Sequence, residues 1–149
     1  MSDPLDPDLF ATASIAFDLD GTLVDTAPDL VRALNGVITP LGLASIPVDD
    51  VRAMVGRGAQ ALIERAYASQ QRALEPAQTA ELLARFIEIY QADIAADSRL
   101  FPGVEATLAR LQDAGATLSV CTNKLSVLSD QLIAEFNLTD YFARIIGPD

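Results

Sequence analysis

The sequence predicts an α/β fold with a parallel sheet and a helical segment inserted after the first strand. Three short apolar runs support this prediction, at 14–17, 117–121 and 143–146. Each run is bounded by turn residues and lies beside a helical pattern, which is typical of parallel α/β architecture. Strands of such sheets are covered on both faces, so we expect all three strands to be buried.

Residues typical of helix ends and apolar stripes indicate where the helices beside these strands lie. A helix over about 104–113 precedes the second strand, with Pro102 and Gly103 at its start and Gly115 after its end. An apolar stripe at helical spacing predicts another helix between the second and third strands. The stripe consists of Leu125, Leu128, Leu132 and Phe136.

The region from about 26 to 97 shows no strand signal and has four helical patterns instead. The first begins near Thr26 or Ala27, the second follows Pro47, and the third begins around Gly58. The fourth has one apolar face, formed by Leu82, Leu83, Phe86, Ile89 and Tyr90. We therefore predict a helical insertion between the first and second strands.

The composition excludes several classes of function. The net charge of −11 opposes binding to nucleic acid, because the phosphates would be repelled by this surface. The chain has no histidine, which excludes Ser-His-Asp and Cys-His catalysis and histidine-based zinc sites. Any chemistry must therefore depend on carboxylates, hydroxyls, amides, lysine and arginine.

The chain also lacks the usual marks of a membrane or exported protein. No apolar run approaches the ~18–20 residues that a membrane span needs. The single cysteine, Cys121, excludes an internal disulfide and fits a reducing cytoplasm, and we expect it to be a buried strand residue. Residues 1–12 are acidic and lack the basic start of a signal peptide, so we expect a flexible N-terminal arm.

Two polar clusters follow the first two predicted strands. The segment Asp18–Thr26 comes directly after the first strand, and Thr122, Asn123 and Lys124 come directly after the second. Ligands of parallel α/β sheets bind beyond the carboxyl ends of the strands. Because parallel strands end at the same edge, we expect the two clusters to lie close together.

The first cluster contains two carboxylates, Asp18 and Asp20, separated by one residue. Alternation along an extended segment puts Asp18 and Asp20 on one side, where a hard cation such as Mg²⁺ relieves their repulsion. A carboxylate can attack phosphorus to form an aspartyl phosphate, and a second one can protonate the leaving alkoxide and later activate water. Gly21 lets the backbone pass close to the phosphate, and its amide can donate to it. The alternative is an Asx turn at the end of a strand.

These residues resemble the motifs of a known family. The segment Phe17–Thr26 looks like the first motif of the haloacid dehalogenase superfamily of phosphatases, and Val120–Lys124 is similar to the second. With Phe101–Val104, the spacing most resembles the phosphoglycolate phosphatase branch. The resemblance implies Asp18 as the nucleophile, Asp20 as the general acid/base, and Mg²⁺ held by the Asp18 side chain and the Asp20 carbonyl oxygen.

The resemblance also implies how the chain is organised. An incomplete Rossmann-like core would comprise 13–25 and 98–149, and a helical cap would comprise 26–97. The family completes its site with a lysine and one or two further carboxylates downstream of the third strand, where this sequence reaches Asp149. We therefore expect the first two-thirds of a phosphatase. Lys124 is not a positional match for that lysine. It could still reach a phosphate in its place, but we expect it to be a surface residue.

Other residues are candidates for binding substrate. Thr122 would donate its hydroxyl to the transferred phosphoryl group, with Asn123 beside it and Thr22 in the first motif. Thr122 could instead cap the helix that follows it. Arg57 of the cap could pair with a substrate carboxylate or be a solvated loop residue.

A further pair of residues is expected to have a structural role. Asp25 and Thr26 should cap the first helix of the insertion and mark the hinge.

The resemblance therefore implies a phosphatase acting on phosphoglycolate or a similar short phosphorylated acid. A pyrophosphatase or sugar phosphatase of the same family is the nearest alternative, and an inactive fragment that associates with itself is another. The first strand, Ser14–Phe17, should be left with an unpaired edge, because its neighbour on that side in the family is missing. We expect a homodimer through this edge.

Overall fold

A computed structural model describes residues 7–149. Its strands are β1 (Ser14–Phe17), β2 (Val24–Asp25), β3 (Arg99–Leu100), β4 (Thr117–Cys121) and β5 (Phe142–Ile146). Its α-helices are α1 (Pro7–Phe10), α2 (Ala27–Ile38), α3 (Val48–Arg52), α4 (Ala59–Ser69), α5 (Pro76–Ala92), α6 (Val104–Asp113) and α7 (Ser126–Glu135). The described residues form two compact units, one of 7–24 with 100–149 and one of 25–99. The borders lie one or two residues from those expected from the sequence.

The first unit is built on a parallel sheet with the strand order β1-β4-β5. Ser14 pairs with Thr117 and Phe17 with Val120, while β5 pairs with the other side of β4. The expected α/β fold with three parallel strands is confirmed. The limits of β1 and β4 agree with the sequence prediction, and β5 begins one residue earlier than expected.

The prediction that all three strands are buried is wrong for the two outer ones. In β4, Leu118 and Val120 are buried, as expected of a central strand. In β1, Ser14 and Ala16 are exposed, and β5 is also exposed or half-buried along its length. The reason is the strand order, since only β4 has a neighbour on both sides among the described residues.

Helices α6 and α7 occur where the glycine residues and the apolar stripe of the sequence predicted helices. Gly103 precedes α6 with a φ of 84°, a left-handed conformation that other residues rarely adopt, and α6 has the predicted limits. In α7 the buried apolar positions are Leu128, Leu132 and Ile133. Leu125 and Phe136, which the predicted stripe included, flank the helix and are half-buried.

The second unit is a bundle of the four predicted helices, in which α2 packs against α3, α4 and α5. Helix α2 begins at Ala27, α3 follows Pro47, and α4 follows Gly58, as the sequence predicted. The apolar face of α5 buries Leu82, Phe86 and Tyr90, and leaves Leu83 and Ile89 half-buried. The Phe86 and Tyr90 rings stack with their centroids 6.1 Å apart.

Three short elements were not expected. Strands β2 and β3 pair with each other and have two residues each, which is too short for a pattern of alternation. Helix α1 occupies 7–10, part of the arm that was expected to be flexible, and the rest of that prediction, on 1–6, lies outside the described residues. Within 7–149, no helix is long and apolar enough to cross a membrane.

Candidate active site

The two polar clusters lie at the same edge of the parallel sheet. Phe17 is opposite Val120, so the segments that begin at Asp18 and Thr122 both leave the sheet at its carboxyl edge. The clusters also touch, because Nζ of Lys124 lies 3.0 Å from Oδ1 of Asp20. The expectation that the clusters converge is confirmed.

A tight turn presents the two aspartates of the first cluster. The side chain of Leu19 is fully buried between them and anchors the turn. The carbonyl oxygen of Leu19 accepts hydrogen bonds from the backbone N–H groups of Thr22, Leu23 and Val24. Asp18 is exposed, and its Oδ1 accepts a hydrogen bond of 2.7 Å from the N–H of Leu19. The turn therefore directs an exposed carboxylate out of the end of β1.

Gly21 and Thr22 are used to close this turn. Gly21 has a φ of 77°, and its N–H donates to the carbonyl oxygen of Val24 at 2.8 Å. This hydrogen bond uses the Gly21 N–H within the turn. Thr22 is exposed and borders a largely apolar cavity of about 220 Å³ that Phe17 and Pro102 also line. The phosphate-binding roles of both residues stay predictions.

Thr122 is nearly buried and is held by its backbone and its side chain. Its N–H donates to the carbonyl oxygen of Ile146 at 3.0 Å, and its Oγ1 accepts from the N–H of Lys124 at 3.1 Å. A hydroxyl that accepts through its oxygen still has its hydrogen to donate. The binding role of Thr122 and of its exposed neighbour Asn123 stays a prediction.

The interpretation of Thr122 as a helix cap is wrong. Helix α7 begins at Ser126, and the residue before it is Leu125. The cap is provided by Asp149, whose Oδ1 accepts a hydrogen bond of 2.8 Å from the N–H of Ser126. This backbone hydrogen bond holds the pKa of the Asp149 carboxyl below its usual value. The function of the Thr122 hydroxyl is therefore not explained by capping.

The expectation that Lys124 is a surface residue is also wrong. Its side chain is 5% exposed, and its partner Asp20 is 10% exposed. No local pattern predicts this burial, because Asp20 and Lys124 are far apart in the chain and only the parallel pairing of β1 with β4 brings them together. Cys121, which was expected to be buried, is exposed at the end of β4.

In the second unit, Asp25 and Thr26 do not cap α2 with their side chains. Thr26 is the residue before the helix but makes no capping hydrogen bond with its side chain. Asp25 Oδ2 instead accepts from Arg52 at 2.9 Å, which raises the pKa of the arginine. Arg57 is exposed in the loop before α4, and its role toward a substrate stays a prediction.

Asp29 is a buried structural carboxylate that the sequence alone did not reveal. It lies in the first turn of α2, is fully buried, and accepts hydrogen bonds from the backbone N–H groups of Asp97 and Ser98. An acidic residue in the first turn of a helix is common, so the sequence signal was only that of a favourable helix dipole. Its partners could not be identified from the sequence.

Comparisons with known proteins decide the family. The family model of the haloacid dehalogenase-like hydrolases matches residues 15–149. The chain belongs to the haloacid dehalogenase-like hydrolases. Among curated members, it is 53% identical over 137 residues to a phosphoglycolate phosphatase of Caulobacter vibrioides. This match covers 92% of this chain and 58% of the relative. It is 48% identical to a phosphoglycolate phosphatase of Agrobacterium fabrum, covering 89% of this chain and 57% of the relative.

The fold of this haloacid dehalogenase-like hydrolase agrees with a solved structure. A crystal structure described as a predicted phosphoglycolate phosphatase from Haemophilus somnus superimposes with a TM-score of 0.81 at 28% identity. The match covers 92% of this chain and 64% of that one. The chain thus spans somewhat more than half the length of the curated relatives it matches.

Proposed function

We propose that this chain provides the nucleophile half of a phosphatase that hydrolyses 2-phosphoglycolate through an aspartyl-phosphate intermediate. The observation that supports this most strongly is the arrangement at the carboxyl edge of the sheet. An exposed Asp18 lies two residues before Asp20, which a buried Lys124 holds at 3.0 Å. The names of the relatives at 53% and 48% identity support the choice of substrate.

In the first half of the proposed reaction, a carboxylate oxygen of Asp18 attacks phosphorus. A bond forms between that oxygen and phosphorus while the bond from phosphorus to the ester oxygen breaks. The carboxyl group of Asp20 gives its proton to the departing alkoxide, so glycolate leaves with its hydroxyl protonated. Asp18 is suited to this role because it is exposed and follows directly from a fixed strand.

In the second half of the proposed reaction, water hydrolyses the aspartyl phosphate. The carboxylate of Asp20 takes a proton from water, and the water oxygen attacks the phosphorus of the aspartyl phosphate. The bond to the Asp18 oxygen breaks, which releases inorganic phosphate and restores both side chains. The Thr122 hydroxyl would donate a hydrogen bond to a phosphoryl oxygen throughout.

The residues present fit the magnesium ion that the family implies. The Asp18 side chain and the Asp20 carbonyl oxygen would hold it. Mg²⁺ takes one or two protein carboxylates and keeps several waters, so a site with few protein ligands suits it. Within 7–149, no group of three or more Asp, Glu, Cys or His side chains could hold a metal ion. When bound, the ion would offset the charge of the phosphate against the aspartates.

The proposal is tested by hydrolysis of 2-phosphoglycolate with Mg²⁺ and with a chelator. We expect Asp18→Asn to abolish turnover, because an amide cannot form the acyl phosphate. Asp130→Asn, the same change at an exposed position of α7, should leave the rate unchanged. Activity retained by Asp18→Asn would overturn the mechanism. Higher activity on pyrophosphate or a sugar phosphate would overturn the substrate and favour the alternative members of the family.

The length of the chain allows a second test of the same proposal. We expect the 149 residues alone to hydrolyse the substrate weakly or not at all, because phosphoryl transfer depends on several charged groups that surround the phosphate. The matched comparison is a form that carries any residues its source encodes beyond Asp149. Equal rates would mean that the groups present here, with Lys124 among them, are sufficient. A cytoplasmic location is part of the proposal and rests on the single cysteine alone.

A further inference from the structure

Lys124 is the single lysine of the 149 residues, and the fold buries it. Its side chain is 5% exposed, and its ammonium group lies 3.0 Å from a carboxylate oxygen of Asp20. A lysine is almost never buried unless its charge is paired, because removing an ammonium group from water is costly. A residue placed at such a cost beside a candidate acid/base requires an explanation.

Both members of the pair are attached to fixed parts of the backbone. The N–H of Lys124 donates to Thr122 Oγ1 at 3.1 Å, and its carbonyl oxygen accepts from the hydroxyl of Ser129 at 3.3 Å. Asp20 forms a bridge with Val24 within the turn that follows β1. The ion pair therefore joins two rigid segments that follow neighbouring strands, and neither side chain depends on a loose loop.

We propose that Lys124 is a positioning residue for Asp20. Its ammonium group holds the Asp20 carboxyl group in the orientation from which protons move to the leaving group and from water. This inference rests on the proposed phosphatase function. The size of the effect follows from geometry, since a displacement of about 1 Å can cost ~10²-fold in rate.

The main competing role for Lys124 is direct binding of the phosphoryl group. A phosphate ligand would act without Asp20, and its loss would weaken the binding of substrate. A positioning residue acts only through Asp20, and its loss would lower kcat while KM changes little. The two roles therefore differ in a double-mutant cycle.

The kinetic experiment compares wild type, Lys124→Met, Asp20→Asn and the double variant, in a form with any residues encoded beyond Asp149. Methionine keeps the length of the side chain and removes the charge. We expect Lys124→Met to lower kcat by about 10–100-fold with KM within about threefold, and to have little further effect in the Asp20→Asn background. Lys124→Arg should recover part of the loss. Arg144→Met, a cation removed from an exposed position of β5, is the matched control.

A second measurement does not depend on activity. Because the chain has one lysine, acylation of Lys124 can be followed by mass spectrometry, with the α-amino group as the internal reference. We expect slow acylation in wild type and faster acylation in Asp20→Asn. Rapid acylation in wild type would show that Lys124 is not buried in an ion pair with Asp20, which would overturn the positioning role. This test uses the wild-type protein, so it remains valid if Lys124→Met fails to fold.

The outcomes separate this inference from the proposed function. Equal losses from Lys124→Met in both backgrounds, or a loss confined to KM, would overturn the positioning role and leave the phosphatase proposal intact. A wild-type protein without hydrolysis of any phosphate ester would overturn the proposed function, and the positioning role with it. Slow acylation would then still identify the ion pair as a structural element of the sheet edge.

Discussion

The buried carboxylate of Asp29 accepts hydrogen bonds from both the backbone N–H and the hydroxyl of Ser98, which lies 69 residues further along the chain. The N–H of Asp97 donates to the same oxygen at 3.1 Å, and Arg32 pairs with the other oxygen at 3.3 Å. This cluster fastens the first turn of α2 to the segment before β3. It holds together the two ends of the 25–99 unit.

The first prediction concerns this cluster. Asp29→Asn should lower the free energy of unfolding by about 2–4 kcal/mol, because an amide removes the charge and turns an NH₂ group toward buried donors. Urea unfolding followed by circular dichroism measures the loss. Asp50→Asn, on the exposed side of α3, should change it by less than about 0.5 kcal/mol. Equal stabilities of the two variants would contradict a structural role for Asp29.

The second prediction concerns Asp20 as the general acid. Asp20→Asn should lower kcat by about 10²–10⁴-fold, because the amide cannot transfer a proton. The loss should be smaller on p-nitrophenyl phosphate, whose leaving group needs less protonation, than on 2-phosphoglycolate. The ratio of the two losses is the measurement. The same loss on both substrates would mean that Asp20 does not protonate the leaving group.

The third prediction concerns the Thr122 hydroxyl. Thr122→Val keeps the shape of the side chain and removes the donor, so kcat should fall by about 10²–10³-fold. Thr122→Ser keeps the hydroxyl and should retain most of the activity. The N–H of Lys124 also loses its acceptor in the valine variant, which should cost about 1 kcal/mol of stability. If the valine and serine variants had the same kcat, the hydroxyl would have no part in the reaction.

The fourth prediction concerns association through β1. In the described residues β1 pairs with β4 alone, which leaves the backbone groups on its other side open to a second copy of the chain. We expect a dimer at micromolar concentration, measured by light scattering. Ala16 is exposed in β1, so Ala16→Lys should place a charge at this edge and weaken the dimer without unfolding the chain.

The control for that prediction lies on the opposite edge of the sheet. Ala143 is exposed in β5, and Ala143→Lys should leave the association unchanged. A dimer that Ala143→Lys dissociates and Ala16→Lys does not would place the contact on β5. A strictly monomeric wild type would show that the open edge of β1 does not drive association.

The three strands of the parallel sheet and the helices longer than four residues were predictable from the amino-acid sequence. The limits of β4 and α6 were predictable because an apolar run or a helical repeat ends at glycine or another turn residue, and these signals are local. The position of Asp18 and Asp20 directly after β1 was predictable because the strand and the two aspartates lie within a few residues of one another. The parallel order then implied that the second motif lies at the same edge.

Which side chains are paired and buried depends on contacts between distant parts of the chain. The Asp20–Lys124 pair and the Asp29–Ser98 hydrogen bonds join residues that are far apart in sequence, and no local periodicity records such contacts. The exposure of β1 likewise depends on which strands lie beside it rather than on its own apolar residues. Burial is a property of neighbours in space, and for these residues the neighbours come from other parts of the chain.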